Sequence, residues 1–113
     1  MLTIEKLKSY GADTEDGLKR CLNNEGFYLG LVESILNDTK ADELRAAVEA
    51  GDLTRGFELA HAMKGSYANL ALTPILTPVS EMTELLRART ETDYAPLLDE
   101  IAKQKEALLR CAE

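Results

Sequence analysis

The chain is expected to be all-α: an up-down antiparallel four-helix bundle with one or two short N-terminal helices. Three observations predict this. Apolar residues recur at i, i+3, i+4 and i+7 through most of the sequence, while no stretch alternates apolar and polar residues as a strand would. The links between periodic segments are short and polar, which favours antiparallel neighbours. The few aromatics leave a core of Leu, Ile, Val, Met and Ala, the usual filling between packed helices.

Taken in order, a first short segment over residues 3 to 10 ends at Gly11, and Asp13 or Thr14 can cap a second that runs to about Leu22. Asn23-Asn24 breaks the chain there. From Glu25, the residues Tyr28, Leu31, Val32, Ile35 and Leu36 form one stripe. Asn37-Asp38 interrupts the stripe, as a break or only as a kink, and Leu44, Ala47 and Val48 carry it on to Ala50. Gly51-Asp52 combines a stop and a start, since glycine suits the left-handed position after a helix and aspartate accepts from the next helix's free N–H groups. The next helix is expected to span residues 53 to 72. Thr73-Pro74 and Thr77-Pro78 each offer a cap followed by proline in the first turn. The helix after them runs to about Arg89, with Val79, Met82, Leu85 and Leu86 apolar. Asp93 is expected to cap the last helix, where Leu97, Leu98, Ile101 and Leu108 hold the period and Lys105 is its polar exception.

Length and composition bound the possibilities. The 113 residues suit one domain, residues 1–113, with short helices over 1–22 and the bundle over about 25–110. At 45% hydrophobic, the chain can fill one core without disulfides or a structural metal. The formal net charge of −7, with no basic stripe, argues against nucleic-acid binding, which depends on cations displacing counterions from phosphates. No 18-residue apolar window and no signal-peptide core are present, so neither a membrane span nor export is expected, and the chain reads as cytoplasmic. Cys21 and Cys111 form no metal or redox motif with each other or with the single histidine, and are expected to be reduced thiols.

That histidine, His61, is the residue around which function is read. At about 100° per residue, Leu59, Met63 and Leu70 fall within roughly 20° of the side opposite His61, with Gly56 and Ser66 about 40° off it. Those five mark the buried stripe. Within roughly 60° of His61 lie Thr54, Phe57, Glu58, Lys64, Gly65, Ala68 and Leu72. The imidazole is therefore expected to face water. Gly65 costs a helix about 1 kcal/mol against alanine, and its missing bulk one turn from His61 gives a partner room to approach the ring. Lys64, at i+3, can place an ammonium beside a group attached to the imidazole. Phe57 and Leu72 add apolar surface to the same face, as a docking surface for another helix would.

A neutral imidazole is a competent nucleophile near pH 7, and its phosphoryl adduct has a good leaving group. A lysine would offset charge on the phosphoryl oxygens. Neither G-x-x-x-x-G-K-[ST] nor G-x-G-x-x-G occurs, so the phosphoryl group is expected to arrive from, and leave to, other proteins. Glu58 and His61 also spell E-x-x-H, but a di-metal bundle needs two such pairs facing inward.

The segment His61-Ala62-Met63-Lys64-Gly65-Ser66-Tyr67-Ala68-Asn69-Leu70-Ala71 resembles the signature of histidine-containing phosphotransfer (HPt) domains: histidine, two residues, Lys-Gly and a small residue. The likeness extends from about Phe27 to Leu109, through Ala50-Gly51-Asp52 and Glu84-Leu85-Leu86-Arg87. It implies a phosphocarrier of a multistep phosphorelay. His61 would accept the phosphoryl group through Nε2, Lys64 would steady it, and Gly65 would admit a receiver domain. Phe57, Glu58, Ala68 and Leu72 would contact that partner. Response-regulator receiver domains and a hybrid histidine kinase are the implied partners. They carry the Mg²⁺, and the chain itself needs no cofactor. Two residues depart from the family pattern: Tyr67 stands where a small residue is usual, and Ala71 replaces a common glycine. A receiver-binding adaptor of the same fold that carries no phosphate, and a bundle acting through dimerisation, are the competing readings. A core filled by one chain points to a monomer.

Overall fold

The computed structural model describes residues 1–113 and contains seven helices and no strand: α1 (Ile4–Tyr10), α2 (Thr14–Arg20), α3 (Glu25–Leu36), α4 (Lys40–Glu49), α5 (Leu53–Asn69), α6 (Thr73–Arg87) and α7 (Ala95–Cys111). Local chemistry sets most boundaries. The side chains of Thr3, Asp13, Asn24 and Asp52 each accept a backbone N–H from the first turn of α1, α2, α3 and α5, satisfying donors a helix start leaves free. Gly11 and Gly51 take positive φ after α1 and α4, where glycine avoids the steric cost other residues meet.

Three boundaries settle or depart from what the sequence led to expect. Asn37-Asp38 is a true break between α3 and α4 rather than a kink. Lys105 holds it: its ammonium donates to the Asp38 carbonyl at 3.0 Å and stands 3.7 Å from the Asp38 carboxylate. The polar exception on the apolar stripe of α7 is thus a tie between α7 and the α3–α4 link. Helix α6 begins at the first of the two Thr-Pro pairs. Its N-cap is Leu72, Pro74 lies in the first turn, and Pro78 lies inside the helix, where it has no N–H to give to the preceding turn. Helix α7 starts with Tyr94 as its N-cap, and Asp93 still caps by accepting the Ala95 N–H at 3.0 Å.

Helix α5 packs against both α4 and α6, α6 against α7, and α7 in turn against α1, α3 and α4. Gly56 makes the first of these contacts close. A Cβ there would stand 3.2 Å from Val48 of α4 and 3.6 Å from Leu86 of α6. One continuous core of 23 residues results, including Tyr28, Leu44, Met63, Ile75, Val79 and Met82. The Tyr28 ring passes beneath α2 and donates its hydroxyl to the Leu70 carbonyl at 2.9 Å. It thereby ties α3 to the end of α5. No helix is long and apolar enough to cross a membrane. Cys21 is buried, Cys111 is partly buried, and both are free thiols.

Candidate functional site

Helix α5 presents one face to solvent between its two neighbours. His61, Ala62, Gly65, Ser66 and Asn69 are exposed, while Gly56, Leu59, Ala60, Met63 and Tyr67 are buried. The buried arc is turned by about 30° from the expected stripe: Ala60 and Tyr67 lie inside it and Ser66 outside. The largest residue of that arc is Tyr67, whose ring lies in the core at 1% exposure. Burial raises the Tyr67 phenol above its ordinary range. The rotation leaves His61 in water.

The His61 ring lies against Phe57, with centroids 5.4 Å apart and planes tilted by 40°. Phe57 is half-buried, and the guanidinium of Arg87 on α6 stands 4.9 Å from its ring centroid, within cation–π range. A shallow depression of about 370 Å³ is lined by Phe57, Glu58, His61, Ala62 and Gly65. At Gly65 a Cβ would find no atom within 4 Å. The glycine is not required by packing inside the chain, and what it leaves is open space beside the imidazole.

Lys64 is half-buried on the flank of α5 that faces α6. Its Nζ is 3.5 Å from Oε1 of Glu84, whose Oε2 is 3.4 Å from Nε of Arg87. The ammonium therefore rests on a carboxylate of the next helix rather than in the depression. Glu58 is exposed and pairs with Arg55 at 3.8 Å, which also reaches Glu43 of α4 at 3.3 Å. Ala68 is half-buried on the same flank as Phe57 and Lys64.

Leu72 must be taken out of the docking face. It is 0% exposed. The helical rotation that placed it beside His61 does not reach it, because α5 ends at Asn69 and Ala71 takes a left-handed φ of 55°. That turn reverses the chain, and Leu72 drops into the core as the N-cap of α6. The departure from glycine at 71 is thus a methyl group in a conformation that glycine reaches at lower cost. It is pinned by the Asp13 N–H donating to the Ala71 carbonyl at 2.9 Å.

Glu84 and Arg87 contact Lys64 and Phe57, the residues beside His61, and are not singled out as site residues by the sequence. Their i, i+3 spacing marks a polar face of α6, but nothing local says that this face adjoins the histidine. No group of three or more His, Cys, Asp or Glu side chains lies together as a metal site would require. Glu58 and His61 both project to solvent rather than toward a shared interior site.

Comparison with known protein families matches residues 36–111 to the Hpt domain. No curated protein and no solved structure matches the chain. The matched span begins at the last residue of α3 and takes in α4 to α7, so it contains the whole His61 face.

Proposed function

The chain belongs to the Hpt domain family, whose members are phosphotransfer modules of phosphorelays and not kinases. From that premise we propose that it is the phosphocarrier of a multistep relay, with His61 as phosphoacceptor. The observation that carries the reading is the outward imidazole beside the open surface of Gly65. A nucleophile so placed can be reached by the active site of another protein. The Nε2 lone pair attacks the phosphorus of a receiver-domain aspartyl phosphate. The P–N bond forms as the P–O bond breaks, the aspartate leaves as carboxylate, and the imidazole gives up its Nδ1 proton to water. Passing the group to the next receiver reverses these steps. The receiver supplies Mg²⁺, and this chain needs none of its own.

Lys64 offsets phosphoryl charge, Gly65 admits the partner's backbone, and Phe57, Glu58 and Ala68 form the contact surface around them. Phe57 also limits the orientations open to the ring. The partners are receiver domains and a hybrid histidine kinase, and the chain acts as a cytoplasmic monomer. For the architecture, the cycle of contacts α4–α5–α6–α7–α4 supports an up-down antiparallel four-helix bundle, with α3 extending α4 and with α1 and α2 beside it.

The test is transfer of labelled phosphate from a phosphorylated receiver domain with Mg²⁺. Acid-labile, alkali-stable label should appear on the chain and be lost in His61→Gln, with helicity unchanged. Receiver binding without label would assign the chain to the adaptor class instead.

A further inference from the structure

Lys64, three residues after His61, and Arg87, which stands over the ring beside the imidazole, share one anion. Glu84 on α6 holds Lys64 through one carboxylate oxygen at 3.5 Å and Arg87 through the other at 3.4 Å. Arg87 in turn lies over Phe57, and Phe57 lies against His61. Lys64 is on the same helix as His61, three residues on, yet its charge is directed across the groove to α6. The lysine assigned to the phosphoryl group is therefore engaged elsewhere while no phosphoryl group is present.

We propose that Glu84 is a positioning residue of the phosphoacceptor site, its carboxylate competing with the phosphoryl group on His61 for the ammonium of Lys64. The inference deepens the phosphocarrier reading of His61 and rests on it. A phosphoryl group carries close to two negative charges against one on the carboxylate. The Lys64 and Glu84 side chains are 37% and 58% exposed, and pairs this open to water are weak. The phosphoryl group wins the lysine, but the exchange slows its arrival. The carboxylate thus acts as a brake set by one ion pair.

Phosphoramidate is the donor that isolates this effect, because it is small and needs no docking surface. The His61 Nε2 lone pair forms the new P–N bond as the donor's P–N bond breaks. Ammonia leaves with a proton taken from solvent, and the imidazole releases its Nδ1 proton. The rate of His61 labelling is followed in the full chain, in Glu84→Gln, in Lys64→Ala and in the double variant. Glu84→Gln should label about two- to fivefold faster, the range a weak exposed pair can supply. In the Lys64→Ala background the same change should give no gain, as a double-mutant cycle requires for an effect acting through the lysine. The gain should also shrink as salt screens the pair. Glu81→Gln, which removes an exposed charge one turn earlier on α6, should leave the rate unchanged.

A labelled parent chain with equal rates in Glu84→Gln overturns the inference alone. A gain that survives in Lys64→Ala overturns it as well, by showing that Glu84 acts by repelling the donor or through Arg87 and not through the lysine. A parent chain that takes no label removes the phosphocarrier reading first, and this inference with it.

Discussion

Gly65→Ala should stabilise the fold and impair its function, a pairing that follows only if the glycine serves a partner. The position is exposed, lies inside α5, and offers an added Cβ no atom within 4 Å. Neither a clash nor a change in core packing therefore opposes the helix-propensity gain, which is worth about 0.5–1 kcal/mol at such sites. With an unfolding entropy of about 2.1 cal/mol/K per residue, the 113 residues turn this into a rise in Tm of roughly 2–4 °C. At the partner interface the sign reverses. A methyl group forced into a surface packed as tightly as an interior costs about 1–3 kcal/mol, a slowing of roughly 5- to 150-fold in transfer from a receiver domain. Gly30 is the control, being an exposed glycine inside α3 whose Cβ would also meet nothing within 4 Å. Gly30→Ala should give a similar rise in Tm and leave transfer untouched. Thermal melts by circular dichroism and single-turnover transfer assays on both variants decide the matter. Transfer at the parental rate in Gly65→Ala, with the melt raised, would refute the assignment of Gly65 to partner approach. A lowered melt would refute the open geometry itself.

Leu72→Ala should cost about 2–5 kcal/mol, the range for a large-to-small change in a packed core, because Leu72 is wholly buried at the start of α6; a denaturant melt showing a loss below 1 kcal/mol would return the residue to the surface. Alkali should unfold the chain through its buried phenols. Burial pushes Tyr28 up to about 12 and raises Tyr10 and Tyr67 as well, so the folded state keeps protons that the unfolded state releases near pH 10. Stability is therefore full below about pH 10 and falls as pH rises toward 12, by up to about 1.4 kcal/mol per pH unit for each such tyrosine. Tyr28→Phe should flatten this slope between pH 10 and 12. It should also lower stability at neutral pH by about 1–2 kcal/mol, because the Leu70 carbonyl loses its buried donor; an unchanged slope would separate Tyr28 from the alkaline transition.

The parts of the fold legible in sequence are those fixed by neighbours along the chain. Caps at Asp13 and Asp52, the helix end at Gly11 and the left-handed glycine at 51 depend on a few consecutive residues, and local rules find them. The outward direction of His61 was legible for the same reason, since one helix turn carries both the apolar stripe and its opposite. What escaped depends on contacts between distant segments. Asn37-Asp38 stood open between a break and a kink because its partner, Lys105, lies 67 residues away. Leu72 was placed by extending a helix past its end, and the left-handed Ala71 that ends the rotation carries no glycine to announce it. The carboxylate of Glu84 joined the site only through the packing of α6 on α5. Tyr67 departs from the small residue usual in the family, and it is buried on a face that sits about 30° from the angle the periodicity gave.

Imidazole NMR of the chain after exposure to a phosphorylated receiver reads out whether the ring at position 61 carries the phosphoryl group. One histidine is present, so its two ring nitrogens can be followed without ambiguity. Phosphorus should couple to Nε2, and mild acid should abolish that coupling. Phosphorus found on any other residue, with both ring nitrogens unchanged, would contradict His61 as the phosphoacceptor.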